Sequence, residues 1–208
     1  MTERQIKPVK DNKDKQRTYR ENIGKYRLAM KHGFYFEAML IDYAMLEDRL
    51  RSFLYHIGGL KTKDSHKFDN KYVKKYLKPI VSEYKEKDES DTFIIKSISG
   101  KMTIIKATLN WAAYVEYAPE EKYLKTLKSQ YESALDLKGM LDALEDVRKW
   151  CDYRNEVIHA LMNKNLESLD EQLEEQAVKG MEVARYIDAQ IKQLKKGNRI
   201  RRSINLKA

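Results

Sequence analysis

Cysteine is nearly missing from this chain: Cys151 is the only one in 208 residues. A lone thiol cannot close an internal disulfide or build a cysteine-rich zinc site, so a reducing, cytoplasmic setting is expected. Only three prolines and eight glycines interrupt the sequence. No run of about 18 apolar residues occurs, which argues against a membrane span. The first fifteen residues are polar and charged and lack an apolar signal core, so secretion is not expected. No glycine-rich phosphate loop is present, and neither serine-hydrolase nor cysteine-protease motifs occur. His32, His56 and His66 have no metal-like spacing to neighbouring acids and read as surface or helix-end residues. No metal and no cofactor are expected.

The chain instead has abundant Leu, Lys, Glu, Ala and Met, arranged in long stretches of 3.6-residue period. With hydrophobic residues at 42%, this points to an all-α domain with a real core. A first helix is expected from about Lys13 to His32, with Tyr19, Ile23, Tyr26 and Met30 as its stripe and Gly33 as its stop. The second, about Phe34 to Ile57, is apolar over most of its surface and should be central. Among its acids, Glu47 lies between apolar neighbours. It reads either as a partly buried carboxylate needing a basic partner or as a surface acid pairing with Arg51 four residues on.

After Gly58-Gly59 the pattern weakens. Residues 60–70 read as a loop, and a helical segment near Asn70–Glu86 carries Pro79 as a kink. Thr92 to Tyr117 is rich in isoleucine. Gly100 divides it, its second half reads as helix, and its first half is open to a short strand. Residues 60–117 are expected to form a variable insert between two halves of a helical core. Ala118-Pro119-Glu120-Glu121 then starts a helix that stops near Gly139. The next helix shows Met140, Leu144, Val147, Cys151, Arg154, Ile158 and Leu161 at alternating spacings of four and three. A last long helix runs from about Ser168 to Lys196. The organisation read from sequence is therefore residues 1–12 as a disordered basic segment, 13–196 as the helical domain, and 197–208 as a basic tail.

Charge is concentrated at the ends. The net charge is +9, of which residues 1–20 carry +4 and residues 195–208 carry +6, leaving the body near −1. Basic ends of this kind attract polyanions such as RNA, and Arg199, Arg201 and Arg202 are the candidate contacts in the tail. Solvated tails that aid solubility are the plain alternative.

The stretch Asp152 to His159 carries the chemistry. Asn155 and His159 are four apart and share a helix face, and Arg154 is offset by roughly 100° at its edge. An arginine on an apolar stripe needs a carboxylate, a phosphate or an interface partner. Such a trio could cleave a phosphodiester without metal. His159 would move a proton to or from the ribose 2′-OH or the departing oxygen. Arg154 would grip the phosphate at two points, and Asn155 would orient either partner. The ordinary alternative is a surface histidine beside an arginine held in an intramolecular salt bridge. Cys151, on the apolar stripe, reads as core rather than nucleophile. Trp111, Trp150 and the tyrosines read mostly as packing.

Arg154-Asn155-Glu156-Val157-Ile158-His159 resembles the Arg-x(4–6)-His signature of HEPN domains, including the polar residue straight after the arginine. The order of elements over roughly residues 13–57 and 119–196 is also similar: a long apolar second helix bearing an acid, the motif near the start-to-middle of a late helix, then one more long helix. The resemblance implies a HEPN-like four-to-five-helix bundle that forms a homodimer, with two arginines and two histidines in one composite site. It implies a metal-independent endoribonuclease acting on RNA by 2′-OH attack, in a toxin or antiviral defence setting with a possible antitoxin or regulatory partner. Arg154 and His159 would be catalytic and Asn155 supporting, with Glu47 as the second-helix acid bracing the arginine. One departure is Leu161, where toxins paired with a nucleotidyltransferase carry a tyrosine. The alternative function is a non-catalytic helical module that binds RNA or protein. It requires Arg154 to be paired with Glu47 or another acid of its own chain.

Overall fold

The computed structural model describes residues 11–60, 62, 78–84, 95–115, 122–161, 167–196 and 199–204, and every element in them is an α-helix. None of these helices is long and apolar enough to cross a membrane. The expected disordered segment lies almost wholly outside the described residues, as do His66, the 63–77 stretch and the Ala118–Glu121 helix start.

Helix α1 (Asn12–Lys31) is capped by Asp11, whose carboxylate accepts from the Asp14 amide at 2.8 Å. Gly33, at φ 73°, takes the left-handed conformation that lets the chain turn straight into α2 (Tyr35–His56). The hairpin closes at its far end, where Lys15 pairs with Asp48 at 2.6 Å and the Tyr19 hydroxyl donates to the same carboxylate. As expected of the most apolar helix, α2 is central: Ala38, Met39, Leu46, Leu50, Phe53 and Leu54 have no exposed surface.

Helix α7 (Glu167–Lys195) lies along α2 and runs parallel to it. Tyr35 donates to Glu174 at 2.9 Å near one end, and Arg49 meets Asp188 at 2.8 Å near the other. Helix α6 (Leu137–Ala160) runs antiparallel to α7. Asp136 receives the Tyr186 hydroxyl at 3.0 Å at its start, and Trp150 Nε1 donates to the Gln176 carbonyl at 2.8 Å further along. Helix α4 (Ile98–Tyr114) completes the square by packing on both α2 and α6. Four helices thus enclose the core, and α1 lies outside against α2 and α7, its Tyr26 hydroxyl donating to the Ala177 carbonyl at 3.0 Å.

The expected insert contains one wall of this core. Ser97 caps α4 by accepting from the Gly100 amide at 3.1 Å, so the helix runs through Gly100 instead of dividing there. Ile104, Ile105 and Leu109 are wholly buried, and no strand forms among the described residues 95–115. β-branched residues here follow tertiary burial, which outweighs their weak preference for strands. Helix α3 (Lys78–Tyr84), with Pro79 as its second residue, packs on α4.

Helix α5 (Lys122–Ala134) and a short α8 (Arg199–Ile204) cover the end of the bundle. The expected tail is therefore helical over these six residues, and Ile200 is 2% exposed. Arg201 is tied into the fold. Its Nη1 donates to the carbonyls of Tyr55 (2.7 Å) and Leu60 (2.9 Å), and its guanidinium lies 3.6 Å from the centre of the Tyr55 ring. Carbonyls at and beyond a helix C-terminus lack intrahelical donors, and Arg201 supplies them. Arg202 is exposed, while the Arg199 side chain lies outside the described residues.

Close packing of α2, α6 and α7 depends on Gly180. A Cβ there would stand 2.8 Å from Trp150 Nε1 and 2.9 Å from Asp42 Oδ2. Gly180→Ala gains helix propensity but forces these groups apart, so a net loss of about 1–3 kcal/mol is expected in denaturant titration. An unchanged midpoint would mean that the contact relaxes freely.

Candidate functional site

Position along α6 is fixed at its start and its middle. The Asp136 carboxylate accepts from the Gly139 amide at 2.9 Å and holds the Tyr186 hydroxyl, while buried Trp150 anchors the helix to α7. The Asp152–His159 stretch therefore occupies the last two turns, further along the helix than the start-to-middle placement expected. Burial centres on Met140, Ala143, Val147, Trp150 and Val157. Cys151, Arg154 and Ile158, expected on the core stripe, lie half-buried at its edge. A bulky Trp150 facing α7 sets this rotation.

That rotation aims Arg154 at α2. Its guanidinium stands 4.3 Å from the centre of the Tyr43 ring, a cation–π arrangement. Its Nη1 donates to Oδ1 of Asn155 at 3.1 Å, and its Nε is buried without a hydrogen-bond partner. No carboxylate pairs with Arg154 among the described residues. Asn155 and His159 are exposed, as are Asp152 and Glu156, so amide and imidazole share one face with two acids. The structure thus brings Arg154 and Asn155 into contact and leaves His159 one turn beyond Asn155.

Glu47 lies elsewhere. Its carboxylate pairs with Lys101 of α4 at 3.1 Å and, more loosely, with Arg51 at 3.8 Å. The Arg51 pairing read from spacing is present, and the basic partner expected for Glu47 is Lys101. Bracing of Arg154 is instead provided by Tyr43. Lys101 has no exposed side-chain surface; burial holds its ammonium below the usual lysine range, opposed by the bond to Glu47. Its Nζ also donates to the Ser97 carbonyl at 3.2 Å.

The fully buried acid of α2 is Asp42. Neither carboxylate oxygen has a hydrogen-bond partner. Burial pushes its pKa up to about 8, with Arg185 opposing, so Asp42 is mainly neutral at pH 7. Its signal was present in the sequence: Asp42 is four residues from both Ala38 and Leu46 on the innermost face. His56, read as a helix-end residue, does end α2 but is buried there.

Beside Arg154, residues of α4 and α6 line a cleft of about 490 Å³. Arg154 and Asn155 border one end, Thr103 and Met102 project from α4, and Glu145 and Cys151 from α6. Burial, with Asp152 adding to it, pushes the Cys151 thiol up to about 11. Compared with models of known protein families, with curated proteins and with solved structures, the chain matches none of them.

The arrangement favours one kind of chemistry and disfavours another. A guanidinium with no carboxylate, propped on an aromatic ring, can receive a phosphate at two points. Cys151, in contrast, is poorly suited to nucleophilic work. Its thiolate fraction near pH 8 should be on the order of a hundredfold below that of an exposed cysteine, and alkylation in the folded protein should be correspondingly slow. Rapid labelling would show that the thiol is more accessible than its packing implies.

Proposed function

We propose that this protein is a metal-independent endoribonuclease of the HEPN type, a cytoplasmic homodimer that serves as a toxin or antiviral defence effector. The observation that carries the reading is Arg154: a half-buried cation on Tyr43, without a carboxylate, one to two turns from an exposed histidine on the same helix. The non-catalytic alternative needs an acid of the same chain against Arg154, and none of the four acids of the second helix, Glu37, Asp42, Glu47 and Asp48, pairs with it.

In this reading Arg154 holds the scissile phosphate and stabilises the charge that builds on its oxygens. His159 transfers the proton of the 2′-OH attack or protonates the departing 5′-oxygen. Asn155, already bonded to Arg154, sets the guanidinium plane. One copy offers a single arginine and a single histidine on an exposed face, so acid and base come from two copies, with α6 facing α6. Arg202 adds positive charge for the RNA backbone, whereas Arg201 is occupied in the fold. An antitoxin or other regulatory partner would restrain the activity.

The test is cleavage of RNA in EDTA by wild-type protein and by His159→Ala, with molar mass measured in parallel. Cleavage lost in the variant while a dimer persists supports the reading; equal cleavage by both, or none by either, defeats it.

A further inference from the structure

The cleft between α4 and α6 has a chemistry of its own. At about 490 Å³ it has the size of small-molecule sites, and it opens directly onto Arg154 and Asn155. Its walls are mixed. Ile98, Met102 and Leu144 give apolar surface, and Thr103 offers a hydroxyl. Two carboxylates, Glu145 and Asp152, line it as well, and neither makes a hydrogen bond or ion pair among the described residues; Lys106 and Arg148 stand in the same walls and have interactions of their own.

Such a cleft suits a flat, heteroaromatic group whose edge donates hydrogen bonds. Carboxylates without a partner accept from exocyclic amino groups, and the neighbouring Lys106 and Arg148 offset their charge. The cation that lacks a carboxylate, Arg154, stands at the mouth. We propose that the cleft holds one unpaired base of a nucleic-acid strand, next to the phosphate gripped by Arg154. Naming that strand as RNA rests on the ribonuclease reading. The occupant is a base bearing an exocyclic amino group, adenine, cytosine or guanine, in preference to uracil. A base can enter only after leaving its stack and its pairing partner, so the site selects single strands over duplex.

The test uses strands that cannot be cut by 2′-OH attack. Short fluorescent 2′-deoxy oligomers of A, C and U, and a duplex of the same length, are titrated into the full-length protein at fixed salt. Two variants narrow the cleft: Met102→Trp within it, and Ser99→Trp at its exposed rim, where misfolding is not a concern. A and C strands are expected to bind about tenfold tighter than U strands or duplex, and both tryptophan variants to lose that advantage. Bound A or C strands should also slow alkylation of Cys151, the cysteine in the α6 wall.

Equal affinity for A, C and U strands, or Ser99→Trp binding as wild type does, overturns the proposal. RNA cleavage in EDTA is followed in the same samples. Cleavage that persists unchanged in both tryptophan variants removes the base cleft and leaves the ribonuclease. Selective binding lost in the variants, with no cleavage by wild type, removes the ribonuclease and leaves the base cleft.

Discussion

Replacing His159 by alanine is expected to slow RNA cleavage in EDTA by about two to four powers of ten, the usual span for losing a general acid or base. The size follows from the proposed chemistry, in which proton transfer at the 2′-oxygen and the 5′-oxygen falls to histidines and the chain has only four. The folding cost should be small, because His159 is exposed on the last turn of α6. A fall in rate with an unchanged melting temperature therefore separates chemistry from structure. Arg154→Lys is the companion variant. Lysine keeps the charge but loses the planar fork that lies on Tyr43 and grips two oxygens, so it should not restore wild-type rate. Full activity of the lysine variant would mean that only net charge matters at this position.

Asp42→Asn should stabilise the protein by about 2–4 kcal/mol at pH 7, the largest stability effect expected. Below about pH 4 the carboxyl is protonated in both folded and unfolded chains, and the two forms differ little. Between about 4 and 8 the unfolded chain releases a proton that the folded chain keeps. Stability then falls by about 1.4 kcal/mol for each pH unit. Above about 8 the folded carboxyl ionises too and the loss is complete. Asparagine has nearly the same shape and no proton to lose, so it removes this slope. Thermal melts at pH 5, 7 and 9 should show the variant ahead at each pH. The gap should widen from 5 to 8 and then flatten, reaching roughly 5–15 °C. A variant less stable than wild type at pH 7 would mean that the Asp42 carboxylate is charged and paired in solution.

A carboxyl this costly to ionise sits where α2, α6 and α7 meet, one residue from the Tyr43 that supports Arg154. Asp42, Trp150 and the missing side chain of Gly180 occupy one close-packed junction. Disturbing it should also alter how Arg154 is presented, because the rotation of α6 depends on Trp150. The same junction therefore connects the stability of the bundle to the geometry of the candidate site.

Helix periodicity and capping chemistry are local, and the sequence alone determined them. The spans of α1, α2 and α7 follow to within a residue or two from apolar stripes, from Gly33 and from the breaks at either end. The grouping of Arg154, Asn155 and His159 at the edge and face of one helix follows from 3.6 residues per turn. Tertiary structure decided what those side chains meet. Spacing made Arg51 a partner for Glu47 but could not reveal buried Lys101, since the two lie 54 residues apart. Periodicity put Arg154 on a core stripe. The packing of Trp150 against α7 turned that stripe to the edge and brought Tyr43, 111 residues away in sequence, beneath the guanidinium. Asp42 and Glu47 both stand on an apolar helix, and only the approach of α7 and its Gly180 determined which of them lost its water. A residue's face is a property of its own helix, whereas its partner and its dielectric surroundings belong to helices that arrive from elsewhere in the chain.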